Sequence, residues 1–480
     1  MTAAHRLLRA REGELLPLML AAAFFFCVLF GYFLIRPVRE AMGVERGMSE
    51  LRSLFYVTAG VSLLVAMGFG TLVHRFDRRR FITIGFRLVM LCLVVFAGLR
   101  LGFGEELKAA TGRVFYVWLS VVNLFLTSVF WAFMADVWSL DQAKRLFPAI
   151  GVGGTLGAIA GSTVPWTLSE RIASLAERST RVTGDQLSAA ALMICAAVVL
   201  EAAVRFMRVL DRRVPLKQYN TQQASEGSSF DGVGLVDGVV LVVRSPYMLG
   251  IGLYIGLIAV SSTLVYFTQA ELVTDAEDEL VGRVALFGKL DLLAQACTLA
   301  VQLFVTARII RWIGIGGTLA VLPAITVGGF AVLWLVSSRG DAEPWHVFAV
   351  FAVFQAVHRA GRYAVARPAR ETLFSVLSRD EKYKAKTVVD TFVYRGGDVA
   401  GTGLYSMLAG ASALTVGSIA FAAAPLAAVW AMVGLGLAVG QSRLHARRYE
   451  QETAHAHTGS EPRAGSDSRE GDHACPPPAA

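Results

Sequence analysis

Arginines at membrane depth are the residues of this sequence equipped to act on a solute. His358, Arg359, Arg362, Arg367, Arg370 and Glu371 fall within one long helix-like stretch that begins at Trp345. The positions of Arg359, Arg362 and Arg370 place them on roughly one helical face. A charged side chain at the centre of a spanning helix costs roughly 2.5–3.5 kcal/mol on insertion scales. Such a stripe has to face water rather than lipid. A guanidinium is always charged and presents a planar fork of donors that matches phosphate or carboxylate. The chemistry predicted is capture of an anion inside an aqueous cavity.

Arg36-Pro37-Val38-Arg39-Glu40 closes the first apolar run and is echoed by Arg367-Pro368-Ala369-Arg370-Glu371. Each proline removes a backbone N–H and can turn a freed carbonyl toward water. Glu40, Glu371, Asp136, Asp291, Asp390 and Asp398 are the candidate counter-charges or proton sites, with Arg395 between the last two. Lys289 and Asp291 are too close in sequence to face each other, so each needs another partner. Glu201 has Arg205 one turn on as an ion-pair partner, and Arg87 lies near a membrane edge where its head group can reach water.

Helices must hold these residues, because the composition permits little else. The chain is 55% hydrophobic and only 17% charged, whereas soluble domains carry about 25% charged residues. Many apolar runs reach the roughly 20 residues that cross about 30 Å of hydrocarbon. About twelve spans are predicted, near 15–41, 53–73, 81–101, 114–137, 149–168, 188–207, 246–269, 284–307, 315–336, 345–374, 387–409 and 415–439. The fold class is an all-α membrane protein in two six-helix halves, 15–207 and 246–440. Residues 1–14 form a cytoplasmic N-terminus, 208–245 a polar central cytoplasmic loop, and 441–480 a cytoplasmic tail whose His, Ser, Gly, Glu and Pro content predicts disorder.

Lys and Arg concentrate in alternate loops, including Arg78 to Arg80, Lys144 and Arg145, Arg212 and Arg213, and Lys382 and Lys384. The opposite loops are poorer in them and include the acidic stretch Asp275 to Glu279. Both termini are therefore predicted to be cytoplasmic. The net charge of +8 is spread over these short loops, which points to a lipid bilayer and not to nucleic acid as the partner. Arg6, Arg9 and Arg11 before Leu15 imitate a signal peptide, but the apolar run is too long and has no small-residue cleavage site, so an uncleaved first span is predicted. Cys27, Cys92, Cys195 and Cys297 have no metal-ligand spacing and are predicted to be buried apolar groups, with Cys475 in the tail. No metal and no cofactor is expected, and a monomer is.

The loop from Gly70 to Arg80, with Arg75, Arg78 and Arg79, resembles the G-x-x-x-D-R-x-G-R-R signature of the major facilitator superfamily. His74 stands where that signature has Asp, and Asp77 where it has Gly. The loop would gate one access state by clamping helix ends. Gly151 to Gly157 imitates a dinucleotide-binding loop but follows no strand. Gly153, Gly157 and Gly161 recur every four residues, which bares one helix face for close packing. No P-loop, HExxH or GxSxG with partners appears, so an enzyme is not expected.

Phe130-Trp131, then Asp141-Gln142-Ala143-Lys144-Arg145-Leu146-Phe147-Pro148 running into Gly151 and Gly153, resembles the F-W…E-E-A-K-R-F-Y-P-x-x-G stretch of ATP/ADP translocases of the TLC type. Arg36 to Glu40 resembles that family's L-R-D-T-K-D, and Arg367 to Glu371 its D-P-T-K-E. The resemblance implies a facilitator-type fold whose first and tenth spans line the central cavity. It also implies that Arg39 and Arg370 stand on two substrate-binding lysine positions. Two acidic positions that it implies, in spans four and seven, fall around Ser120 and Asn123 and near Tyr266.

The leading expectation is a secondary transporter that moves a small anionic, phosphorylated or nucleotide-like solute by alternating access. Arg39 and Arg370 would bind the anion, with Arg36, Arg359, Arg362 and Arg367 around them. One alternative is proton-coupled export of a hydrophobic or cationic compound, which would depend on Asp136 and Asp291. Another is a membrane scaffold or sensor that keeps the fold without transport.

Overall fold

Lipid offers the backbone no water to bond, so each apolar run must close its own ladder of N–H···O=C bonds. The computed structural model describes residues 11, 13–73, 78–102, 105–175, 183–214, 232–339, 343–411 and 416–458. Among these there are helices and short turns but no strand. The first half comprises α1 (Leu15–Val44), α2 (Met48–Val73), α3 (Arg78–Gly102), α4 (Glu105–Val137), α5 (Leu140–Ser174) and α6 (Gly184–Arg213). A short α7 (Gly232–Arg244) leads into α8 (Pro246–Ala276), α9 (Leu280–Phe304) and α10 (Thr306–Ser337). Next comes one helical run built from α11 (Pro344–Ala360), a π-helical turn (Gly361–Ala366), α12 (Arg367–Leu373) and a final 3-10 turn. A second run joins α13 (Arg379–Val388), a π-helical turn (Val389–Val393) and α14 (Tyr394–Ala411), and α15 (Val416–Thr458) ends the described chain.

Among the described residues, ten helices are long and apolar enough to cross a bilayer. The other two of the twelve predicted spans correspond to the runs through the π-helical turns, which divide each run into shorter helices. Residues 208–245 are not one polar loop: α6 continues to Arg213 and α7 occupies the last part, while 215–231 lie outside the described residues. The predicted tail also begins as helix. Its first residues are rich in Ala, Arg, Glu and Gln, which are strong helix formers, and α15 runs on to Thr458. Gln441 is buried and donates to the Thr372 carbonyl at 2.8 Å, which ties this extension to the end of α12. Residues 459–480, including Cys475, lie outside the described residues.

The three-glycine face of α5 packs against α1. A Cβ at Gly153 would lie 2.9 Å from the Ala22 carbonyl oxygen, one at Gly157 2.2 Å from that of Phe26, and one at Gly161 2.5 Å from that of Phe30. Each step of four on α5 thus meets a step of four on α1, backbone against backbone. Phe25 stacks on Phe130 of α4 with ring centroids 4.2 Å apart, which fills the space beside this seam. Gly157→Leu is expected to drive the two helices apart and destabilise the protein by at least the roughly 1–3 kcal/mol typical of overpacking. Gly151→Leu on the same helix is expected to be tolerated, because a Cβ there meets nothing within 4 Å. Thermal unfolding of the two purified variants in detergent checks this.

At the start of the same helix pair, Ser139 caps α5 with Gln142 in a reciprocal box. Glu14, just ahead of α1, accepts from Gln142 at 3.0 Å and from Arg145 at 3.0 Å. Burial pushes its carboxyl up, but the Arg11 backbone N–H, Gln142 and Arg145 outweigh that and hold it down at about 2.

The two halves meet where α9 packs on α5 and α1, and where α14 packs on α2. Asp185 at the start of α6 accepts from the Val281 N–H of α9 at 3.0 Å, so a carboxylate of one half satisfies an unpaired donor of the other. Glu201 pairs with Arg205 at 3.5 Å, as the spacing predicts, and with Arg87 at 3.8 Å. Cys27 is buried but Cys195 is exposed on α6, contrary to expectation, because an apolar thiol is as compatible with lipid as with a core. Of the predicted gating loop, residues 74–77, which include Arg75, lie outside the described residues. The side chains of Gly70, Arg78 and Arg79 are likewise not described.

Candidate substrate-binding cavity

A cavity of about 280 Å³ lies between the two halves, near the lower end of the roughly 300–1,000 Å³ usual for ligand sites. Five guanidiniums line it: Arg36 and Arg39 from α1, Arg359 from α11, Arg362 from the first π-helical turn and Arg395 from α14. Between and around them stand Tyr116, Tyr266, Tyr363 and Tyr394.

Three carboxylates hold most of these cations. Asp291 on α9 accepts from Arg36 at 2.6 Å and from Arg359 at 2.5 Å. Glu40 is only 2% exposed and takes Arg39 at 2.5 Å and Arg36 at 3.4 Å. Asp398 takes Arg395 at 3.0 Å. Among the described residues, Arg362 has no carboxylate within ion-pair distance. It donates to the Tyr394 hydroxyl, and its guanidinium carbon lies 5.0 Å from the Tyr363 ring centroid and 5.6 Å from that of Tyr394. Cation–π contacts orient such a group without cancelling its charge. The cavity lining therefore holds more positive charge than its counter-ions neutralise.

Local sequence explains how Arg362 reaches the cavity. Pro368 has no N–H to donate to the Ala364 carbonyl one turn back, and the Thr306 hydroxyl takes that place at 2.8 Å. The carbonyl is satisfied from a neighbouring helix, and the π-helical turn over Gly361–Ala366 is kept. The turn over Val389–Val393 ends directly before Tyr394, the partner of Arg362. Such turns concentrate at functional sites because they re-aim side chains.

The same turn separates the predicted arginine stripe. A π turn takes up about one residue more than an α turn, so residues beyond it lag by on the order of 100°. Arg359 and Arg362 reach the cavity, but Arg367 is exposed and Arg370 pairs with Asp390 at 3.3 Å outside the lining. Glu371 binds Lys386 at 2.5 Å, also outside it. The echoed pentapeptides therefore diverge: Arg36 and Arg39 line the cavity while Arg367 and Arg370 do not. Asp136 is half-buried toward the end of α4 and does not line it either.

The two positions where the resemblance implies acidic groups are cavity positions. Ser120 accepts from Arg39 at 2.9 Å, and Asn123 lines the wall. Tyr266 donates to Glu40 at 2.5 Å and shares a 2.8 Å hydrogen bond with Tyr116. Glu40, next to Arg39 in sequence, thus brings a carboxylate from α1 to the end of the Tyr266 side chain. The sequence reading passes over the tyrosines and the Gln269–Gln355 pair that bonds across α8 and α11. Their only signal is a polar group in mid-span, which is weaker than a charge.

Two six-helix halves around a central polar cavity make up a fold of the major facilitator type. The fold of a mutant of the nucleoside transporter NupG matches with a TM-score of 0.60, 14% identity, and coverage of 88% of this chain and 99% of that one. The peptide transporter POT in complex with sulfate matches at 0.58, with 12% identity over 89% and 94%. The sequence profile of the TLC ATP/ADP transporter family matches residues 107–438. The chain belongs to the TLC ATP/ADP transporter family, a family of carriers and not of enzymes. Curated relatives include ADP,ATP carrier protein 1 of Chlamydia muridarum, 25% identical over 66% of this chain and 62% of its own length. Another is the chloroplastic ADP,ATP carrier protein 2 of Arabidopsis thaliana, 22% identical over 76% and 64%. The chain thus spans a little under two thirds of the length of these relatives.

Proposed function

We propose that this protein is a secondary transporter that exchanges an anionic, phosphorylated solute of the adenine-nucleotide type by alternating access between its two halves. The observation that carries this reading is the charge balance of the cavity, where Arg362 stands free of any carboxylate among the described residues beside Arg36, Arg39 and Arg359. A solute bearing several negative charges would complete that balance. Guanidinium forks suit phosphoryl oxygens, and the tyrosines offer aromatic faces to a base. The names of the Chlamydia and Arabidopsis relatives point to the same solute class.

The basic loops support a bacterial inner-membrane location with both termini cytoplasmic, and a monomer holds the whole cavity. Arg36, Arg39, Arg359 and Arg362 would bind the anion, with Glu40, Asp291 and Asp398 as counter-charges. A proton-coupled exporter relying on Asp291 is less well supported, because two guanidiniums already engage that carboxylate. Proteoliposomes loaded with ATP are expected to take up labelled ADP, and empty ones to take up far less. Equal uptake by protein-free liposomes would overturn the reading.

A further inference from the structure

Asp291 is 1% exposed, and a single oxygen, Oδ1, accepts from both Arg36 and Arg359. The other oxygen, Oδ2, is buried with no hydrogen-bond partner. Each guanidinium gives this carboxylate one Nη1 donor, although a paired fork would bind more strongly. Arg36 and Arg359 line the cavity while Asp291 does not, so the carboxylate holds them from behind. Arg36 belongs to the first half, whereas Asp291 and Arg359 belong to the second. The carboxylate therefore satisfies a cavity arginine and fastens the halves together at the same point.

We propose that Asp291 is an internal surrogate for the solute, and that the solute's anionic group competes with it for Arg36 and Arg359 during transport. This rests on the anion-carrier reading above and adds the link between binding and movement. In the empty carrier the Arg36–Asp291 contact ties α1 to α9. An incoming polyanion presents several oxygens from the cavity side and draws both guanidiniums onto itself. The tie between the halves then loosens, and reorientation is coupled to occupancy. A ligand shifts such an equilibrium only through its differential contacts with the two states, and competition for Arg36 supplies that difference.

The test uses inorganic pyrophosphate as a minimal polyanion and spin labels at Ile84→Cys on α3 and Leu435→Cys on α15, both exposed, in a background without the native cysteines. Pulsed dipolar spectroscopy reads the distance between the halves. Ligand-free protein with Asp291 intact is expected to show one dominant distance, and pyrophosphate to add a second. D291N is expected to show that second distance without ligand and to bind pyrophosphate about tenfold more tightly, since the competitor is gone. Asp291→Glu keeps the negative charge and is expected to retain the dominant ligand-free distance. An identical distance distribution in ligand-free D291N, or weaker pyrophosphate binding, would make Asp291 a purely structural bridge and overturn the proposal. Should D291N fail to fold, the parent measurement decides, because pyrophosphate without effect on the distance also overturns it. A protein whose distance responds to pyrophosphate but which exchanges no ADP would fault the nucleotide reading alone.

Discussion

Arg362→Gln is expected to lower ADP exchange by about thirtyfold or more while the protein remains folded. Most buried arginines cannot be removed so cleanly, because their loss strands a carboxylate. Arg362 strands none: its contacts are the Tyr394 hydroxyl and two aromatic faces. Its charge is nevertheless the one that a polyanion meets without displacing a competitor. Losing one member of a buried, hydrogen-bonded charge pair costs about 2–5 kcal/mol, and each 1.4 kcal/mol is about a factor of ten. Arg362→Lys keeps the charge without the planar fork and should fall between. Arg370→Gln should stay within about tenfold of the parent, since Arg370 is engaged by Asp390 outside the cavity. Initial rates in proteoliposomes, with thermal unfolding as the control, measure all three. Unaltered exchange in Arg362→Gln would remove this cavity from the transport path.

Glu40→Ala should show the opposite signature, with stability lost before activity can be assayed. Glu40 holds Arg39, reaches Arg36 and accepts from Tyr266 of the other half. Deleting it leaves Arg39 with no carboxylate, Arg36 with Asp291 alone, and Tyr266 without its charged acceptor in a buried site. Breaking a buried pair from one side typically costs about 3–5 kcal/mol, a large share of the roughly 5–15 kcal/mol that holds a protein folded. Glu40→Gln keeps an acceptor for Tyr266 and should lose less. Thermal unfolding of the purified variants checks both, and melting unchanged in Glu40→Ala would refute the account of this network.

Helix number and the division into halves were readable from the apolar runs, because lipid leaves the backbone one option. The glycine face of α5 was readable for a similar reason: Gly153, Gly157 and Gly161 can serve only close approach. Arg36, Arg39, Arg359 and Arg362 gather around the cavity, but the residues beyond the turn at Gly361–Ala366 do not keep the facing that the sequence spacing gives them. A period of 3.6 places Arg370 with Arg359, and only the turn that Pro368 and Thr306 support breaks that period. Thr306 lies on α10, so this information is tertiary and no window around Arg370 contains it. Partner choice was hidden likewise, since Asp291 meets Arg36 across 255 positions of sequence. The tyrosines stayed hidden because an aromatic ring in a span is ordinary packing until its hydroxyl finds a charge.

The seam between α1 and α5 has mechanical meaning for recognition. With carbonyls of one helix lying where side chains of the other would begin, those two helices have no slack and must travel as a single plank. Arg36 and Arg39 are mounted on that plank, so their spacing is fixed in every state of the carrier. Arg362 is mounted on a wide, loosely wound turn, and Tyr394 follows directly after another. In the proposed transporter, one jaw of the pocket would be a rigid anvil that fixes where the anion sits, and the other a compliant jaw that adapts to the rest of the cargo.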